Sequence, residues 1–125
     1  MKKRKGGGKT FRVFNLTRGT VLAESIEIAG ALFKRLRGLL GRSSIPSGEG
    51  LLIVPCRAVH TWFMRFPIDV VFLDEDFAVA GVVENMPPFR FSPYVRRARA
   101  VLELSAGTVR ETGTRAGDKI KLERS

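Results

Sequence analysis

Apolar residues alternate roughly with polar residues over two short stretches near the start of the chain. Residues 11–15 and 21–29 carry apolar side chains with β-branched neighbours, and Thr17, Arg18 and Gly19 lie between the two stretches. Alternation with a period of two is typical of strands, and a short turn-forming segment between two such runs indicates a hairpin. The pattern therefore predicts that the chain opens with two antiparallel strands.

The hydrophobic period changes between residues 31 and 40. Leucines recur at i, i+4, i+7 and i+8 from Leu32, while Lys34, Arg35 and Arg37 take the opposite face. This spacing is typical of an amphipathic helix, and Gly41 follows it as a C-terminal cap. The segment is predicted to be the main helix of the protein.

Short apolar runs bounded by turn residues occupy most of the remaining chain and predict further strands. Three acidic residues at 74–76 predict a tight hairpin, and Gly117-Asp118 predicts a turn before the final strand. Residues 85–94 contain three prolines and are expected to form a long surface loop, because proline disrupts strand and helix interiors. Residues 108–113 are predicted to form one helical turn. The predicted strands are residues 51–54, 59–64, 70–73, 79–84, 100–104 and 119–123.

Many short strands at this spacing predict a mostly β fold, either a β-sandwich or a partly closed barrel of short antiparallel strands with one main amphipathic helix. The length of 125 residues and an apolar fraction of 44% suit one domain. We assign residues 11–125 to this single domain and residues 1–10 to a flexible, basic, glycine-rich arm.

Composition excludes several classes of protein. No uncharged stretch exceeds seven residues, whereas a membrane-spanning helix needs about 20 apolar residues, so no span is expected. The single cysteine, Cys56, cannot form an intrachain disulfide, and a cytoplasmic location is the simpler expectation. With one histidine and one cysteine the chain lacks a zinc ligand set. Neither a bound metal nor a cofactor is predicted.

The chain is strongly basic, with a formal net charge of +10. Five of its bases lie in the first nine residues, and two further clusters lie at residues 34–42 and 90–99. If the clusters share a face, they would attract polyanions and make binding depend on salt. The candidate residues for polyanion binding are Arg35, Arg37, Arg96, Arg97 and Arg99.

The segment 56–69 contains the only cysteine, histidine and tryptophan of the chain. A nucleophilic pair of Cys56 with His60 would require a sharp bend, because residues four apart in an extended chain are separated by roughly 13 Å. The alternative is that Cys56 is a small buried hydrophobe and His60 a hydrogen-bonded residue in or beside the core.

Asp69 and Glu103 each interrupt an otherwise apolar run. A carboxylate in such a position needs partners, and Asp69 could accept backbone amides after Pro67, pair with Arg65 or His60, or act as a general base in a pocket. If Asp69 and Glu103 converged, they could form an acid–base pair.

Five motifs in this order resemble the uncharacterised domain family DUF192. They are RGLLGR at 37–42, GEGLL at 48–52, HTWFM at 60–64, PIDVVFLD at 67–74 and VLELSAGT at 101–108. The resemblance implies a compact, mostly β domain with one main helix and no established activity. Many members carry an export or lipid-anchor signal, where this chain has its basic arm. The positions that match the family motif are Thr61, Met64, Pro67, Asp69, Asp74, Glu103 and Gly107.

Taken together, these residues favour a non-catalytic binding or accessory domain for a small molecule or peptide, with a cleft bordered by residues 61–69 and 85–94. Its candidate ligand-binding residues are Thr61, Trp62, Met64, Asp69 and Glu103. One alternative is an acid–base enzyme, such as a hydrolase, that uses Asp69 with His60 or Glu103 as catalytic groups. A second alternative is a nucleic-acid-binding protein that uses the basic arm and the arginine clusters.

Overall fold

Seven strands and one short helix make up the described part of the protein. The computed structural model describes residues 9–29, 45–62 and 64–125. The elements in chain order are β1 (Thr10–Asn15), β2 (Thr20–Ala29), β3 (Glu49–Ile53), β4 (Ile68–Leu73), β5 (Val79–Met86), β6 (Ala100–Ser105), α1 (Thr108–Thr112) and β7 (Ile120–Arg124).

The strands form one mixed sheet in the order β5-β4-β6-β3-β2-β1-β7, curled into a half-barrel. The predicted mostly β fold and its partly closed barrel are thus confirmed, with a single sheet in place of a sandwich. One pair departs from the antiparallel prediction, because β2 and β3 run parallel. The residues between these two strands are numerous enough for the crossover that a parallel pair requires, about a dozen.

The two edges of the half-barrel approach each other at the beginnings of β5 and β7. The amide of Val79 donates to the Asp118 carbonyl at 2.8 Å, and the amide of Ile120 donates to the Phe77 carbonyl at 2.9 Å. On its other side β7 pairs with β1, in a register that runs from Phe11 opposite Arg124 to Asn15 opposite Ile120. The sheet therefore nearly closes at one point of its circumference.

Apolar side chains cover both faces of the sheet, and β4 separates them. Val70 and Phe72 belong to one core cluster, which also contains Val59 and Met64 from the loop before β4. Val71 and Leu73 belong to a second cluster, which includes Val109 of α1. We call these the loop-side and helix-side clusters. Because both faces of β4 are covered, its sequence is a continuous apolar run rather than an alternation.

The predicted opening hairpin, the acidic turn and the one-turn helix are all present. In the acidic turn the Asp74 Oδ1 accepts the amides of Asp76 and Ala78, at 2.8 and 2.9 Å. The helix predicted at residues 31–40 lies outside the described residues. No helix in the described ranges has the length and apolar character that crossing a bilayer requires.

The strand predicted at residues 59–64 is not formed. The described residues of this segment form a loop that makes a single bridge, from His60 to Phe91. The segment opposite contains Pro87, Pro88 and Pro93, and proline has no amide to donate. A regular ladder cannot extend along such a partner, so the apolar run at 59–64 packs as a loop.

Candidate functional site

Asp69 lies on β4 and is fully buried. Its Oδ1 accepts the amide of Asn85 at 2.8 Å, and its Oδ2 accepts the amides of Gly107 and Val109 at 3.1 and 2.8 Å. Gly107 has a φ of 98°, a conformation that favours glycine and turns its amide into the start of α1. The carboxylate is thus held by backbone amides, as one of the sequence hypotheses proposed, although these amides come from β5 and α1 rather than from the segment after Pro67.

Glu103 is also fully buried, but the register of the sheet places it on the opposite face from Asp69. On the β4–β6 pair, Val70 lies opposite Glu103 and Asp69 lies opposite Leu104. Directly opposed side chains of an antiparallel pair share a face. Glu103 therefore lies on the loop side with Val70, and Asp69 on the helix side with Leu104. The hypothesis that the two carboxylates converge is wrong.

Four rings gather on the loops that cover the loop-side cluster. Trp62 contacts Phe89 edge-on at a centroid distance of 5.3 Å and Phe91 at 5.9 Å, and His60 contacts Phe91 at 6.1 Å. These rings lie at the surface: Trp62 is 39%, Phe89 47% and Phe91 72% exposed. We call this set of His60, Trp62, Phe89 and Phe91 the aromatic face.

Thr61 fixes the two loops that carry the aromatic face. It is fully buried, and its hydroxyl donates to the Pro87 carbonyl at 2.6 Å and accepts the Arg90 amide at 2.9 Å. Its own amide donates to the Arg90 carbonyl at 2.9 Å, and its carbonyl accepts the Phe89 amide at 2.9 Å. Because Thr61 is buried and its hydroxyl, amide and carbonyl all form hydrogen bonds, it positions the neighbouring rings rather than facing a ligand.

The remaining sequence candidates divide between core and surface. Met64 is 2% exposed within the loop-side cluster. Arg96, Arg97 and Arg99 are exposed on the loop that follows the aromatic face. Arg35 and Arg37 lie outside the described residues. Of the five candidate ligand-binding residues, only Trp62 is exposed at the surface.

His60 and Cys56 both make hydrogen bonds with backbone atoms of their own loop. The amide of Trp62 donates to His60 Nδ1 at 3.3 Å, and the Cys56 thiol donates to the Ala58 carbonyl at 3.1 Å. His60 is therefore a hydrogen-bonded residue beside the core, as one alternative proposed, and Cys56 is half-buried against the loop-side cluster.

A buried polar network near the point where β5 and β7 approach each other was not predicted from the sequence. The Asp118 Oδ2 accepts hydrogen bonds from Asn15 Nδ2, Arg18 Nε and the Arg115 amide, each at 3.0 Å. Burial tends to raise the pKa of Asp118, but these hydrogen bonds and the nearby guanidinium hold it below its ordinary value. The network joins the β1–β2 turn to the loop before β7 and has no direct contact with the aromatic face.

Comparison with known proteins gives a consistent set of similarities. The family model DUF192, described as "Uncharacterized ACR", matches residues 13–122. A UPF0127 protein of Pyrococcus horikoshii is 33% identical over 101 residues, which cover 77% of this chain and 85% of that protein. A UPF0127 protein of Thermococcus sibiricus is 29% identical over 116 residues, covering 89% of this chain and 74% of that protein.

Two crystal structures share the fold. One, described as a "putative transcription regulator" from Sinorhizobium meliloti, has a TM-score of 0.77 and 24% identity, with 97% of this chain and 98% of that chain covered. The other, a protein of unknown function from Novosphingobium aromaticivorans, has a TM-score of 0.78 and 23% identity, with 97% and 91% covered. At these identities the similarity shows the fold.

Proposed function

Because this chain belongs to the DUF192 (UPF0127) family, which is described without an activity, we propose from the geometry of its surface that it is a non-catalytic binding domain whose ligand stacks on the aromatic face. The observation that carries this proposal is the cluster of exposed rings around Trp62. Aromatic side chains contribute most to binding when they present large, rigid surfaces to a partner.

The exposure of these rings supports a binding role. Large apolar side chains are normally buried, and a contiguous exposed group of them marks an interaction site more often than scattered ones do. Phe89 and Phe91 stand on one loop and Trp62 on another, so their contact needs both loops to be held in place. Thr61 supplies four hydrogen bonds for this purpose. A rigid platform loses little conformational entropy when a ligand binds.

The arrangement of the acidic residues argues against the catalytic alternative. A general base needs a free lone pair within hydrogen-bond reach of the substrate proton. Asp69 is fully buried, with three backbone amides bonded to its two oxygens, and therefore lies out of a substrate's reach. His60 and Glu103 lie on the loop side, whereas Asp69 faces the helix side. Neither of the acid–base pairs expected from the sequence is supported by this geometry.

Trp62 is the only tryptophan, so its fluorescence reports directly on the aromatic face. We expect millimolar adenosine, or the neutral peptide Gly-Phe-Gly, to change the Trp62 emission in a saturable manner. Phe91→Leu removes one ring of the face and should weaken binding roughly 2- to 10-fold, the range for an aromatic pair.

The matched control is Tyr94→Leu, which removes an exposed ring outside the aromatic face. Its affinity for both probes should equal that of the wild type. If neither probe changes the Trp62 emission, the proposed function is wrong. If Tyr94→Leu and Phe91→Leu weaken binding equally, the aromatic face is not the site.

A further inference from the structure

We infer that the ligand of the aromatic face is a single-stranded nucleic acid, whose bases stack on the rings and whose phosphates contact the surrounding arginines. This inference rests on the proposed function and adds the chemical class of the ligand. It is carried by the charge of the two segments that build the face and by the way these segments are joined.

The two segments contain arginines but no acidic residues. Residues 50–68 and 85–102 have no aspartate or glutamate. Every arginine in them is exposed, and Arg99 also lies 3.4 Å from Glu75 of the neighbouring acidic turn. A surface of one sign attracts a polyanion and binds it through the release of counterions. These arginines are Arg57, Arg65, Arg90, Arg96, Arg97 and Arg99.

Backbone hydrogen bonds join the arginines and the rings in one surface. The amide of Ser92 donates to the Val59 carbonyl at 2.8 Å, and the amide of Val95 donates to the Arg57 carbonyl at 2.9 Å. The Arg57 guanidinium donates to the Arg96 carbonyl at 3.1 Å. The loop with Trp62 and the loop with Phe89 and Phe91 are thereby paired along the same stretch of backbone that carries the arginines.

Aromatic rings beside arginines favour a single-stranded nucleic acid over other polyanions. The faces of bases in a duplex are covered by their neighbours, whereas a single strand can place them on aromatic side chains. The Arg90 guanidinium lies 3.4 Å from the Phe89 carbonyl oxygen, so a nucleobase stacked on the Phe89 ring brings its phosphate towards a guanidinium. An acidic peptide would satisfy the arginines but would leave the rings without a planar partner.

The test uses the full-length protein and a fluorescently labelled 15-nucleotide oligothymidylate, followed by anisotropy and by Trp62 emission. We expect it to bind at least tenfold more tightly than adenosine at 50 mM salt. The logarithm of the affinity should fall with the logarithm of salt concentration by about 0.7 for each phosphate contact. Trp62→Leu should weaken binding roughly 5- to 150-fold, the range for loss of one stacked base.

The double variant Arg96→Gln/Arg97→Gln should weaken binding at low salt and reduce the salt slope by about 1.4, as expected for two lost phosphate contacts. The matched control, Arg110→Gln/Arg115→Gln, removes the same charge from exposed positions on and just after α1. The helix packs on the opposite face of the sheet. If net charge alone mattered, this control would bind as weakly as Arg96→Gln/Arg97→Gln. We expect it instead to bind with wild-type affinity at physiological salt.

The outcomes separate this inference from the proposed function. If adenosine changes Trp62 emission but the oligonucleotide binds no more tightly, the ligand class is wrong while the binding domain stands. If none of adenosine, Gly-Phe-Gly and the oligonucleotide binds, both proposals fail. Equal binding of a 15-base-pair duplex, or of polyglutamate, would also overturn the inference, because stacked single-stranded bases would then contribute nothing.

Discussion

The Asp69 carboxylate connects three parts of the chain with its two oxygens: β4, the end of β5 and the first turn of α1. Helix α1 has no side-chain cap of its own, since its N-cap residue is Gly107. An acceptor supplied from β4 takes the place of that cap. Acceptors with negative charge form stronger hydrogen bonds to such amides than neutral ones. The residue that most resembled a catalytic base in the sequence therefore holds the fold together.

Asp69→Asn should lower the free energy of unfolding by about 3 kcal/mol or more. One carboxylate oxygen that accepts backbone amides is replaced by an NH₂ donor, which then faces those buried amides. Urea unfolding followed by circular dichroism measures this loss. Asp76→Asn, in the exposed acidic turn, is the matched control and should change stability by no more than about 0.5 kcal/mol. Equal stability of the two variants would contradict the role given to Asp69.

The Asp118 network predicts a dependence of stability on acidity. Since the pKa of Asp118 is lower in the folded protein than its ordinary value of about 4, the carboxylate stabilises the fold above that value. This contribution is lost as the pH falls through the lower, folded-state pKa. Asp118→Asn should be less stable than the wild type at pH 7, and the difference should shrink as the pH falls below about 4. Urea unfolding at several pH values tests this, and a constant difference would refute it.

At the residue scale, the sequence indicates which side chains matter better than it indicates what they do. Asp69 and Glu103 are conspicuous as charges in apolar runs, and both are indeed fully buried. Whether they share a face depends on the register between β4 and β6, which no local pattern determines. The contact of Trp62 with Phe89 likewise joins residues far apart in the chain, so the aromatic face could not be predicted from either segment alone.

Among the elements, β3 lies between β2 and β6 and leaves no room for a side chain at Gly50. A Cβ atom on Gly50 would lie 2.5 Å from the Glu103 carbonyl oxygen and 2.9 Å from a Leu104 methyl group. Gly81, in the edge strand β5, has no atom within 4 Å of the corresponding position. The two glycines stand in the same kind of element and differ in the space around them.

Gly50→Ala should therefore destabilise the protein by about 3 kcal/mol, since the backbone of β6 must move to admit the methyl group. Gly81→Ala should leave stability unchanged or raise it by up to about 1 kcal/mol, because alanine loses less conformational entropy in a strand. Thermal unfolding of the two variants side by side measures the contrast. A similar melting temperature for both would mean that β3 is not packed as described.

Elements marked by local patterns agree with the sequence predictions, whereas two features that depend on distant partners, the 59–64 segment and the parallel β2–β3 pair, do not. The opening hairpin and the turn at Asp74 follow from alternation and turn chemistry within a few residues. The segment at 59–64 has the composition of a strand, but its partner contains prolines, so the pairing fails. The parallel arrangement of β2 and β3 depends on a crossover that the strand sequences do not encode.

Over the whole molecule, the positive charge divides between the predicted arm and the folded domain. Replacing Lys2, Lys3, Arg4 and Lys5 by glutamine lowers the formal net charge from +10 to +6 and should weaken oligonucleotide binding at low salt through the loss of long-range attraction. The Trp62 emission change at saturation should be the same as in the wild type, because the bases stack on the aromatic face. Fluorescence titration tests this, and disappearance of the change would assign binding to the arm instead.

The position of β1 between β2 and β7 has a consequence for the order of folding. β2 follows β1 after a short turn, whereas β7 lies about a hundred residues farther along, so its pairing with β1 closes a far larger loop of chain. Closure of large loops costs more entropy, and contacts between distant residues form late and slowly. We expect the two local hairpins, β1–β2 and β4–β5, to form early, with β7 docking last and the Asp118 network joining it to the β1–β2 turn.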